Sequence, residues 1–199
     1  GGGSGGDGTV IPPFDFNVFG QRPDTDHDPE YFEDRNHYTN VLPASVLDKK
    51  VYFHNLGKYD QWVRLHLTFS DGDAWQKAIT KAATYAGLDE ETFITTKFLG
   101  GLNDNLLREV PFIHHDIFGS DTMTLTFYYS DKVLHDEDIL IMKTLTIPGI
   151  LDKADMDAFG SDGFSIVIKG EAIQADELPA ANAREAFAHV GWVTGEAQP

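Results

Sequence analysis

Cysteine is absent from the 199 residues, which excludes disulfides, thiolate zinc sites, iron–sulfur clusters and covalently attached c-type haem. Positive charge is scarce, with 15 Lys and Arg against 32 Asp and Glu and a formal net charge of −17. That sign repels a phosphate backbone and an anionic lipid surface, so neither nucleic acid nor membrane is expected as a partner. No apolar run reaches the roughly 18 residues that a spanning helix needs. The N-terminus lacks the basic and apolar regions of a signal peptide, so a secreted protein would be present here in its mature form.

Catalytic signatures are also missing. The chain has no His-Glu-x-x-His to set two imidazoles beside a zinc-activating Glu, no Gly-x-Ser-x-Gly elbow and no P-loop. His114-His115-Asp116 is the densest group of metal-ligating types, but neighbours in an extended segment point to opposite faces, so the two rings do not readily share an ion. Asp136 and Asp138 have the chemistry of a glycosidic acid and base pair, yet that role depends on a separation that sequence does not supply. Trp62, Trp75 and Trp192 read as core or interface packing before they read as a sugar groove. The expectation is a protein that is not an enzyme.

What is present is apolar and aromatic: 41% hydrophobic residues, 12% aromatics and 14 Phe, enough to build a core without disulfides or a structural metal. Phe14, Phe16 and Val18 alternate with Asp15 and Asn17, the period of a half-buried strand. Two further strands are expected over 51–55 and 59–69, joined by a tight turn at Leu56-Gly57-Lys58. Within the second, Val63, Leu65, Leu67 and Phe69 face one way and Trp62, Arg64, His66 and Thr68 the other.

After Asp71-Gly72-Asp73 the period changes to that of a helix carrying Trp75, Ile79, Ala82, Ala83 and Ala86 on one face, capped by Asp71 or Asp73 and ended by Gly87. A weaker extended piece over 92–98, a short helical piece over 103–109, strands around Met123–Phe127, Ile139–Ile147 and Phe164–Ile168, and a last helix over 180–190 complete the reading. The fold class expected is mainly β, a jelly-roll-like, two-sheet antiparallel sandwich with a few peripheral helices. Residues 1–13 form a Gly- and Pro-rich N-terminal segment, and 14–199 a single domain with a helical insertion near 73–118.

The stretch from Gln21 to Asn36 is the most acidic run and reads as an irregular loop. Asp24, Asp26 and Asp28 match the opening of a calcium loop, but Pro29 stands where an EF-hand needs Gly and Arg35 where it needs a bidentate Glu. Two readings stand for this run: an irregular calcium site held by Asp24, Asp26 and Asp28, and a solvated acidic loop. No other cofactor is expected.

Three stretches resemble the TasA and camelysin family of exported proteins processed by the SipW-type signal peptidase. They are Glu171-Ala172-Ile173-Gln174-Ala175-Asp176, then Val51 to Arg64 with its Asn55-Leu56-Gly57-Lys58 turn, and Phe127-Tyr128-Tyr129 with Val133-Leu134 and Leu145-Thr146-Ile147-Pro148. The resemblance implies a secreted jelly-roll subunit that polymerises with copies of itself into extracellular or biofilm-matrix fibres. In such fibres an N-terminal segment of one subunit completes a sheet of the next, and an accessory matrix protein can anchor the fibre.

The chain's own pattern suits that mechanism, because a glycine linker leading into an alternating strand is able to leave its domain and pair with a neighbour. The donor expected is Thr9, Val10, Ile11, Phe14, Phe16 and Val18, with Pro12 and Pro13 limiting backbone pairing between its two halves. Camelysin's peptidase label makes a metallopeptidase one alternative, and a monomeric cell-surface binding module is the other.

Overall fold

Val63, Leu65, Leu67 and Phe69 recur at every second position of Gln61–Ser70 (β4), and in the computed structural model all four are buried in the main core. The structure describes residues 14–17, 30–117, 121–176 and 178–191. Thr9, Val10, Ile11, Val18, Asp24, Asp26, Asp28 and Trp192, singled out above, lie outside them.

The other strands are Phe14–Asn17 (β1), Glu30–Tyr38 (β2), Val46–His54 (β3), Leu99–Gly100 (β5), Leu106–His115 (β6), Thr122–Tyr129 (β7), Asp138–Thr146 (β8) and Phe164–Gln174 (β9). They form a four-stranded sheet in the order β1-β3-β8-β5 and a five-stranded sheet in the order β2-β9-β4-β7-β6. The pairings are antiparallel except that of β1 with β3. The chain is therefore the mainly β, two-sheet antiparallel sandwich with peripheral helices that its sequence predicts.

The main core lies between the sheets and is closed by Gly72–Ala86 (α1), whose Trp75 is fully buried. The Trp75 ring meets Phe69, Phe98, Phe159 and Phe164 at centroid distances of 4.7 to 5.4 Å, in tilted or edge-on geometry. Gly72 begins the helix because a Cβ there would sit 2.5 Å from the Thr122 carbonyl carbon. Asp71 makes no side-chain cap bond; Asp121 caps instead, its carboxylate accepting from the Asp73 amide at 2.8 Å. Gly87 ends the helix in the left-handed region, as expected.

Four expectations are corrected. The acidic run read as an irregular loop becomes strand β2 from Glu30 onward, because antiparallel pairing with β9 supplies backbone bonds that an edge strand takes on one side only. The piece over 92–98 is helical: Glu90–Phe93 (α2) is capped by Asp89, and a π turn over Ile94–Phe98 buries Ile94 and Phe98. Its threonines are accommodated because the Thr95 and Thr96 hydroxyls donate to carbonyls one turn back. The piece over 103–109 is extended, since Asn103 forms a turn that launches β6; residues 99–115 thus supply β5 and β6, and within the insertion expected near 73–118 the helical residues are 73–86 and 90–98. Finally, β3 and β4 are not hairpin partners: they lie in different sheets, and residues 55–60 cross the sandwich between them.

Candidate subunit interface and the network behind it

A sheet edge presents unpaired backbone donors and acceptors, and among the described residues three of the four sheet edges are obstructed. β5 has only two residues. β6 is broken by a register shift between Arg108 and Ile113 and contains Pro111, which has no amide to donate. β2 carries the Glu33–Arg35 ion pair along its length. The fourth edge is β1, a strand of four residues that covers β3, and without β1 the edge would be β3 itself.

β1 pairs with β3 in parallel over four residues, Phe14 with Val51, Asp15 with Tyr52, Phe16 with Phe53 and Asn17 with His54. Val51 and Phe53 are fully buried core positions, so Phe14 and Phe16 occupy the register positions beside the core face of β3. Of the predicted donor residues, these two are the ones the structure places. Their partner strand and its direction were not readable from sequence, because local alternation carries no information on long-range pairing.

At the end of this edge His54 meets two carboxylates across the gap to β8. Its Nδ1 lies 2.5 Å from Asp138 and its Nε2 3.4 Å from Asp136. The Asp138 hydrogen bond, with a smaller contribution from Asp136, holds the imidazole above its ordinary pKa. The carboxylate pair considered for glycosidic chemistry is thus a counter-charge for one histidine.

Behind the edge, on the outer face of the five-stranded sheet, lies a polar network that sequence reasoning did not single out. Arg64 and Glu171 are paired across β4 and β9 and form a two-point ion pair, with Nη2 at 2.6 Å and Nε at 3.3 Å from the carboxylate oxygens. His66 donates from Nε2 to the same carboxylate, which leaves Nδ1 to accept from the Thr126 hydroxyl at 2.9 Å in the neutral ring. Arg64 Nη1 donates to the Tyr128 hydroxyl at 3.3 Å, and Tyr128 connects through Glu109 to Arg184 at the surface.

Ala183–His189 (α4), the last helix expected from sequence, lays Phe187 over the Arg64 guanidinium at 4.5 Å from the ring centroid. Burial pushes the His66 imidazole down against the pull of Glu171. Burial alone would raise the Glu171 carboxyl, and the His66 and Arg64 bonds overcome it and hold the group below its ordinary range. Arg64, His66 and Glu171 are each at most 1% exposed, so the cluster is closed to a substrate and acts in holding β4, β7, β9 and α4 together.

The three stretches behind the family resemblance converge on these residues. Arg64 comes from the second, Glu171 from the first and Tyr128 from the third. Asn55 makes a second junction, donating to the Tyr59 and Val133 carbonyls at 2.8 and 3.0 Å and accepting from the Gly57 amide at 2.9 Å.

Trp62 and Trp75 are core residues, Trp62 in the smaller cluster beneath α4. His114 pairs with Thr124 and His115 with Met123, successive and so opposed positions of β6. Among the described residues no three His, Asp or Glu side chains converge on a metal position. Compared with protein-family models, with curated proteins and with solved structures, the chain matches none.

Proposed function

We propose that the chain is a secreted structural subunit that polymerises head-to-tail into extracellular filaments by exchange of its N-terminal strand. The observation that carries this reading is the pairing of β1 with β3: a four-residue strand, preceded in sequence by a glycine-rich segment, closes an edge lined by buried core positions. The same edge accepts the same strand from a neighbour with the same register. A contact that links one subunit's N-terminal strand to another's β3 does not close on itself, so it propagates. Each large apolar side chain transferred in this way contributes about 1.5–3 kcal/mol before ordering costs. The extracellular setting is taken from the resemblance of the three stretches, whose residues Arg64, Tyr128 and Glu171 meet in one network. The acidic run with Asp24, Asp26 and Asp28 is the place at which calcium would act on assembly.

Negative-stain electron microscopy of the full chain over a concentration series, with and without calcium, tests the reading. Filaments are expected from the wild type and not from Phe14→Asp/Phe16→Asp, whose circular dichroism should remain that of a folded β protein. A wild type that stays single at every concentration in both conditions sinks it.

A further inference from the structure

At one end of the sandwich, α1, α2 and the loop after β8 enclose a cleft of about 460 Å³ lined by Ala82, Tyr85, Phe93, Lys97, Pro148 and Ile150 among others. Its wall is mainly apolar, with Thr146 and the Tyr85 hydroxyl as polar groups and Lys97 as the one charged side chain in the lining, solvent-exposed and without an ion pair among the described residues. Tyr85 stands at its rim with 77% of its surface exposed. Mainly apolar concavities with a few polar anchors are where short peptide segments and small ligands bind.

The register of β1 points toward this cleft. Phe14 lies beside Val51, and Val46, at the start of β3, pairs with Thr146, which also lines the cleft. From Val51 the cleft lies about five residues along β3 and up to two strand spacings across, roughly 20 Å in all, and the seven residues ahead of Phe14 can span about 23 Å when extended. Pro12 and Pro13 lack amide donors and so cannot bond to β3 through their backbone nitrogens. The chemistry also matches: Asp7 is the one charged side chain in residues 1–13, and Lys97 the one in the cleft.

We propose that the cleft receives Asp7 to Ile11 of a second copy of the chain, with Val10 and Ile11 against Phe93, Pro148 and Ile150 and the Asp7 carboxylate at Lys97. The proposal rests on the strand-exchange reading, since the segment ahead of an exchanged strand travels with it. It divides the subunit contact in two, a backbone ladder at β3 and an apolar socket beyond the prolines. Residues on the helical elements, absent from any strand pairing, then decide whose N-terminus is accepted.

Because the chain has no cysteine, pairs of introduced thiols report the contact directly. Full-length Val10→Cys is mixed with a tagged full-length Tyr85→Cys under mild oxidation, beside a control mixture of Val10→Cys with Leu107→Cys on the exposed part of β6. The expected result is an intermolecular disulfide in about tenfold higher yield than the control, reflecting the raised local concentration of a seated segment. Asp7→Lys should reduce that yield and Lys97→Asp in the partner should restore it. A yield no higher than the control overturns the inference, as does closure of the bond only within single molecules of the double variant Val10→Cys/Tyr85→Cys. Filaments without the cross-link leave strand exchange standing and remove the socket; the cross-link without filaments keeps the socket and removes the filament reading.

Discussion

Arg64 and Glu171 stand opposite each other on β4 and β9, and neither side chain reaches water, with exposures of 1% and 0%. A buried pair of this kind adds little net stability by being present and costs a great deal when halved, because one charge is then left without a partner in a low-dielectric setting.

Arg64→Ala should accordingly destabilise the fold by about 3–5 kcal/mol, while the double replacement Arg64→Leu/Glu171→Leu should lose less than the single one. Urea denaturation of both variants checks this. Equal or greater loss in the double variant would show that the ion pair itself, and not the orphaned charge, supplies the energy.

Acid should weaken the protein in two steps. The His66 ring has a folded pKa below its ordinary ~6.5, so its contribution is present above pH ~6.5 and is lost as the pH falls through the depressed folded value. Glu171 is likewise depressed, so its contribution is present above ~4.3 and disappears at still lower pH. Melting temperatures measured from pH 7.5 to 3 should decline below ~6.5, and His66→Gln should flatten the upper part of that decline while retaining the lower.

His54 titrates the other way. Its raised pKa gives a contribution that is complete below ~6.5 and lost as pH rises through the folded value. NMR titration of the imidazole should show the elevated pKa fall in Asp138→Asn, and fall less in Asp136→Asn, whose oxygen is farther away.

Gly163 adopts φ 81°, and a Cβ there would lie 1.9 Å from the Tyr38 carbonyl oxygen. Gly163→Ala should cost about 2 kcal/mol or more, from backbone strain together with displacement of β2 from β9. Gly160, also at positive φ but with open space around it, should tolerate Ala with the strain alone. Thermal denaturation of the pair separates the two effects.

Much of the sandwich was legible because its central strands repeat apolar residues at every second position. β4 is the clearest case, yet the burial of its other row, Trp62, Arg64, His66 and Thr68, could not be read from its alternation. For Trp62 and Arg64 that burial involves α4, which arrives more than a hundred residues later, so no window of sequence around β4 contains it. β2 was missed because an acidic edge strand has no alternation to show, and its order comes from β9. The Phe14 strand was visible as a strand, but its partner and its parallel direction are properties of the assembled edge.

The charges beneath α4 also settle how β4 and β9 align. Sliding one strand by a single residue would turn Arg64 and His66 into the core and Leu65 and Leu67 outward. Sliding by two would keep the faces but set Arg64 against Lys169 or Ile173, a like charge or a hydrocarbon, in place of Glu171. Both misalignments are penalised by the same few atoms, so this cluster acts as a proofreading device, admitting one alignment of the sheet's two central strands and rejecting its nearest competitors.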